Sequence, residues 1–122
     1  MRHLEEKDLK DGMEVWYGYA TFKNDNRLTP RPYEAWAPEK YILRLGNNGD
    51  YNLYKKENTE VAMATISYYN YGYSMKYSFY GCKEAVLSDL NDVVNCEIMR
   101  RCDLLKSTTD SLEDYKKNWE QC

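Results

Sequence analysis

Arg27, Arg31, Tyr33, Trp36 and Arg44 are the residues whose types and spacing could do chemistry together. A guanidinium group holds an oxyanion through paired N–H donors, and tyrosine and tryptophan rings beside it offer stacking surfaces and cation–π partners. The set therefore reads as a ligand site for a nucleotide or a short nucleic acid. The plainer reading is a proline-containing segment whose Tyr33 and Trp36 simply cover a sheet. Residues 23 to 56 carry seven basic and four acidic side chains. That excess permits a phosphate-bearing ligand but falls short of the basic bias and stacking motif of a nucleic-acid module.

Other chemistry finds little support. No glycine-rich phosphate loop is present, and "GYSMK" (72–76) lacks the second glycine of a nucleophile elbow. His3 has no nearby cysteine or serine with which to form a base–nucleophile pair. The four cysteines, Cys82, Cys96, Cys102 and Cys122, form no CxxC pair, and one histidine cannot complete a zinc set. Small buried thiols in a reducing compartment are expected, with Cys122 exposed at the end. No cofactor and no metal is expected. A non-enzymatic protein is favoured, and an enzyme acting on phosphate esters is a minor third reading.

A second set points to protein partners. The stretch from Ile66 to Gly81 is dense in tyrosine, a residue that suits half-wet sheets and binding surfaces alike. Tyr69 and Tyr71 are expected to be exposed around its turn. From Glu84 to the end the count is nine acidic against five basic, and Asp89, Asp92 and Asp103 fall on the polar side of an amphipathic pattern. Exposed tyrosines and an aspartate-rich helix suit a protein with a basic surface.

The elements that must position these residues follow from periodicity. At 122 residues and net charge −3, the chain is expected to be a single domain, residues 1–122. Residues 1–80 form a β-rich part and residues 81–122 a helical part. Residues 13 to 22 read as a strand after the turn "LKDG". Residues 40 to 45 and 51 to 56 read as a hairpin around "GNNGD". Residues 61 to 69 and 73 to 80 read as two further strands, the last from the alternation of Tyr73, Met75, Tyr77 and Phe79 with Ser74, Lys76 and Ser78. Residues 23 to 39 hold all three prolines and read as a long loop. Residues 83 to 106 read as a helix with Leu87, Leu90, Val94, Ile98, Cys102 and Leu105 against the sheet. "STTDS" at 107–111 reads as a break, followed by a short helix capped by Asp110 with Glu113.

The expected fold is therefore α+β: a small five-stranded, mostly antiparallel curved sheet or barrel, then a long helix and a short C-terminal helix. An open sheet with a two-helix hairpin on one face is the alternative. The charged N-terminus is no secretory signal and no apolar run reaches membrane-span length, so a cytoplasmic location is expected.

In texture, "LKDGMEVWYGYA" opening a small sheet and "YGCKEAVLSDLNDVVNCEIMRR" closing as a helix resemble the small accessory proteins of bacteriophages. The resemblance spans about a third of the chain and carries over no functional residue. It implies a non-enzymatic product that binds a host protein in the host cytoplasm, such as an inhibitor of an antiviral defence system.

Overall fold

Side chains that alternate between two faces build the sheet of this protein. The computed structural model describes residues 3–27, 31–67 and 74–121. Its main elements are β1 (Glu14–Phe22), β2 (Pro32–Leu45), β3 (Tyr51–Tyr54), β4 (Ala64–Ile66) and α1 (Lys83–Glu120), with 3-10 turns at Glu6–Asp8 and Met75–Tyr77. The strands form one antiparallel open sheet in the order β1-β2-β3-β4, so the molecule is α+β with a single long helix after the sheet. Period-two spacing puts Val15, Tyr17 and Tyr19 of β1, Tyr41 and Leu43 of β2, and Tyr51 and Leu53 of β3 into one buried cluster with Ile66 and Phe79.

The core is largely phenolic, and its hydroxyls find acceptors. Tyr17 Oη donates to the Lys76 carbonyl at 2.7 Å, Tyr19 Oη to Glu34 Oε2 at 2.6 Å, and Tyr41 Oη to Glu39 Oε2 at 3.2 Å. Each ring thus buries apolar area while its polar tip remains bonded. The Tyr17 ring meets Tyr19, Trp36, Tyr41 and Phe79 at centroid distances of 5.7, 5.8, 6.2 and 5.8 Å.

Half of the expected proline loop is strand. Residues 32 to 39 pair with β1, from Pro32 opposite Phe22 to Glu39 opposite Tyr17. Two features admit the prolines. Only residues 42 to 45 of β2 pair with β3, so the proline-bearing half has no partner on its other edge among the described strands. The register also shifts between Tyr17 and Tyr19, where two residues of β2, Ala37 and Pro38, oppose the single Gly18 of β1. A Cβ on Gly18 would lie 3.0 Å from Pro38 Cα and 3.0 Å from the Trp36 carbonyl oxygen, so the close approach needs glycine.

The expected fifth strand over 73 to 80 is not formed among the described residues 74–80. Met75–Tyr77 make a 3-10 turn, Ser78 Oγ donates back to the Ser74 carbonyl at 2.8 Å, and Tyr80 makes only an isolated bridge to Trp16. The Lys76 carbonyl, which a ladder would use, is taken by Tyr17. Phe79 still enters the core, with Met75 and Tyr77 packed against it, and Tyr80, which the same alternation would place on the outer face with Ser78, is buried. Of the strand expected over 61 to 69, the described residues 61–67 form only β4, and residues 68 and 69 lie outside the described residues. The sheet is open: β1 and β4 are its edges, and it does not close into a barrel.

The expected helix pair is one continuous helix of 38 residues, about 57 Å long. Thr108 and Thr109 do not break it, because their hydroxyls donate to the Leu104 and Leu105 carbonyls at 3.0 and 2.9 Å within the helix. Asp110 and Glu113 therefore lie in mid-helix and cap nothing. The buried strip is also rotated from the expected one. Val86 and Arg101 are buried and Leu90, Val93, Glu97 and Leu104 half-buried, whereas Leu87, Val94, Ile98, Cys102 and Leu105 are exposed. No described helix is long and apolar enough to cross a membrane.

Candidate functional site

The segment from Lys23 to Arg27, which links β1 toward β2, is fixed from outside by two neighbouring arginines of α1. Arg101 donates to the carbonyls of Lys23 at 3.0 Å, Asp25 at 2.8 Å and Arg27, and to Asp25 Oδ1 at 2.7 Å and Glu97 Oε1 at 2.6 Å. Arg100 donates to the Lys23 and Asp25 carbonyls at 3.2 Å each and to Glu97 Oε1 at 2.8 Å. A turn that exposes successive carbonyls needs donors, and a planar guanidinium supplies several in one plane. Donation from Arg101, together with the Arg27 N–H, holds the Asp25 carboxyl below its usual range. Donation from Arg100 and Arg101 does the same for Glu97.

This clamp sets out a shallow cavity of about 270 Å³ lined by Lys23, Asp25, Arg27, Arg31, Pro32 and Tyr33. The Tyr33 ring is 64% exposed, and Lys23 Nζ stands 5.6 Å from its centroid. Neither Arg27 nor Arg31 is in an ion pair among the described residues. The cavity can therefore present three cations and one open ring to an anion, while Asp25 is neutralised by Arg101.

The remaining two residues of the sequence-derived ligand set lie elsewhere. Trp36 turns inward, stacked on Tyr19 at 6.2 Å with 17° between the planes and edge-on to Tyr17. It supports the sheet. Arg44 stands near the opposite end of β2 from Arg31, roughly 40 Å away along an extended strand. Its Nε pairs with Asp11 Oδ1 at 3.2 Å, and it lines a different depression, of about 400 Å³, with Ile42 and Tyr54.

The protein-contact candidates also separate. Tyr69 and Tyr71 lie outside the described residues. Asp89 accepts the Tyr80 hydroxyl at 2.7 Å, so it is committed to the fold. Asp92 and Asp103 are exposed. At 100° per residue they fall on one side of α1 with Asp110 and Asp114, an acidic strip that runs along the outer side of the helix. Asp92 also borders a depression of about 410 Å³ floored by Phe22 and Val93.

Cys82, Cys96 and Cys102 are exposed free thiols, contrary to the buried placement expected from composition. The rotation of the helix puts Cys96 and Cys102 outside its packed strip. Among the described residues no group of three or more histidine, cysteine, aspartate or glutamate side chains is arranged to hold a metal ion. Sequence reasoning missed Arg100 and Arg101. The one available signal was Glu97, a helical turn before Arg101 on what looked like a solvated face. Neither a protein family model, a curated protein nor a solved structure matches the chain.

Proposed function

We propose that this chain is a non-enzymatic binding protein that engages another protein through its long helix. The observation that carries this reading is the projection of α1: from Cys102 to Gln121 every residue except Leu104 is exposed, so its last five turns stand clear of the sheet. A helix presented in this way offers a long surface with little reorganisation on binding. Its outer strip carries Asp92, Asp103, Asp110 and Asp114, which favours a partner with a basic surface. The resemblance to bacteriophage accessory proteins extends the reading to a phage-encoded inhibitor of a host antiviral defence, acting by binding a host protein in the host cytoplasm. Affinity capture from host cytoplasm, with wild type and a triple variant, Asp92→Lys, Asp103→Lys and Asp110→Lys, tests this. A basic protein retained by wild type and lost with the variant supports the proposal, and equal retention contradicts it.

A second reading rests on one observation, the gathering of Lys23, Arg27, Arg31 and Tyr33 around a single cavity. Those groups would hold the phosphate of a nucleotide or short nucleic acid and stack one base on Tyr33. Calorimetric titration with a nucleotide panel should then give heat with wild type and none with Arg31→Ala plus Tyr33→Ala, the ring alone contributing roughly 1 to 3 kcal/mol. No heat from wild type removes this reading and leaves the first untouched.

A further inference from the structure

Of the large apolar side chains that α1 leaves uncovered, all but Met99 follow a seven-residue repeat. Leu87, Val94, Ile98, Leu105, Leu112, Tyr115 and Trp119 are 40, 40, 53, 49, 64, 61 and 73% exposed. They fall on alternating steps of three and four: 87, 91, 94, 98, 101, 105, 108, 112, 115, 119. Asn91, Arg101 and Thr108 fill the remaining places. We propose that a second copy of this chain covers this strip, the two α1 helices pairing along it as a short coiled coil.

Three features of the molecule support that occupant. A seven-residue spacing keeps one seam against a supercoiled neighbour along the length of the helix, and this seam lies beside the strip that meets the chain's own sheet, Val86, Leu90, Val93, Glu97 and Leu104. The seven side chains together expose roughly 800 Å², about what each partner contributes to an interface of standard size. The positions bordering the distal seam, Cys102, Leu104, Thr109, Ser111 and Asn118, are uncharged, with Lys116 the exception, so two copies meet without rows of like charge. A charged partner helix would find almost nothing there to pair with.

Helix stability points the same way. The five turns after Arg101 touch no other described element closely enough to be buried, and "STTDS" within them is a poor helix-former. An unsupported helix of that length is marginal in water, and pairing supplies the missing burial. Because Arg101 is bonded to its own chain's 23–27 segment, the tightest pairing runs from Leu105 to Trp119. Leu87, Val94 and Ile98 lie along the same side nearer the sheet. The acidic strip stays outward in the pair, so loss of pairing and loss of the basic partner are read separately.

The test is sedimentation equilibrium of the full chain in reducing buffer, over a concentration series, for wild type and for Leu105→Glu with Leu112→Glu. At tens of micromolar, wild type should show twice the monomer mass of 14.5 kDa. The double variant should dimerise on the order of 100-fold more weakly, since charges would enter an apolar seam, with the near-ultraviolet dichroism of the tyrosine core unchanged. The wild-type melting temperature should also rise with protein concentration. A monomeric wild type with a concentration-independent melt, or a double variant that dimerises as tightly as wild type, overturns the proposal.

Discussion

Arg101 is the buried charge of the helix, and the carbonyls of Lys23, Asp25 and Arg27 around its guanidinium explain why burial is tolerated. Arg101→Ala should take the Arg101 donors from the Arg27 carbonyl and the Asp25 carboxyl, leave the Lys23 and Asp25 carbonyls to Arg100 alone, and lower the melting temperature by several degrees. Arg101→Lys should rescue only part of the loss, since an ammonium cannot reach acceptors spread in a plane. Thermal unfolding followed by circular dichroism checks both. The pH response follows from the same contacts. Asp25 and Glu97 titrate below the usual carboxylate range in the folded chain, so their contribution is present above that range and is lost as pH falls through their folded values. At the alkaline end, burial and hydrogen bonds to Glu34 and Glu39 push Tyr19 and Tyr41 up to about 12. The folded state therefore favours their protonated forms, and stability should fall as pH rises from about 10 toward 12. Spectroscopic titration of tyrosinate should show these phenols ionising together with unfolding, and ionisation at the ordinary value with the fold intact would contradict the buried placement.

At the scale of elements, β1 was legible from its strand-favouring side chains after the turn "LKDG", and β3 with its turn from β2 from the Asn-Gly pair, whereas the alternation over 73 to 80 misled because Met75–Tyr77 make a 3-10 turn whose Lys76 carbonyl accepts from Tyr17. The proline-bearing half of β2 was not legible. Whether a proline is excluded depends on which edge of the strand is paired and on a bulge opposite Gly18, and both are tertiary facts. The helix shows the converse failure. Its strongest apolar repeat was assigned to the sheet, while the packed strip is held by Val86, Val93 and two ion-paired residues that read as surface. Comparing two substitutions separates these assignments. Val86→Asp should abolish cooperative unfolding, because a charge would be buried without a partner. Val94→Asp should leave the sheet folded. Gly18→Ala should cost about 1 to 3 kcal/mol by denaturant unfolding, since the added methyl meets backbone atoms of Trp36 and Pro38 that cannot turn aside.

At the scale of the whole molecule, the sheet is a small aromatic body and the helix is its reach. Composition showed the acidic bias of the second half, and amphipathic spacing placed Asp89, Asp92 and Asp103 together. Only the fold separates Asp89, tied to Tyr80, from the exposed Asp92 and Asp103. The ligand set was partly legible for a similar reason. Arg27, Arg31 and Tyr33 are close in sequence and stay close in space, while a bulge turns Trp36 into the core and the length of β2 carries Arg44 away. What the molecule presents most openly is therefore the outer side of α1, the surface proposed to attract a basic protein. The most direct test is the association rate of the captured partner with wild type and with the Asp92→Lys, Asp103→Lys, Asp110→Lys variant across a salt series. The wild-type rate should fall steeply as salt rises, and the variant should associate more slowly with a shallower salt dependence. Equal rates and equal salt slopes for the two proteins would contradict the proposal.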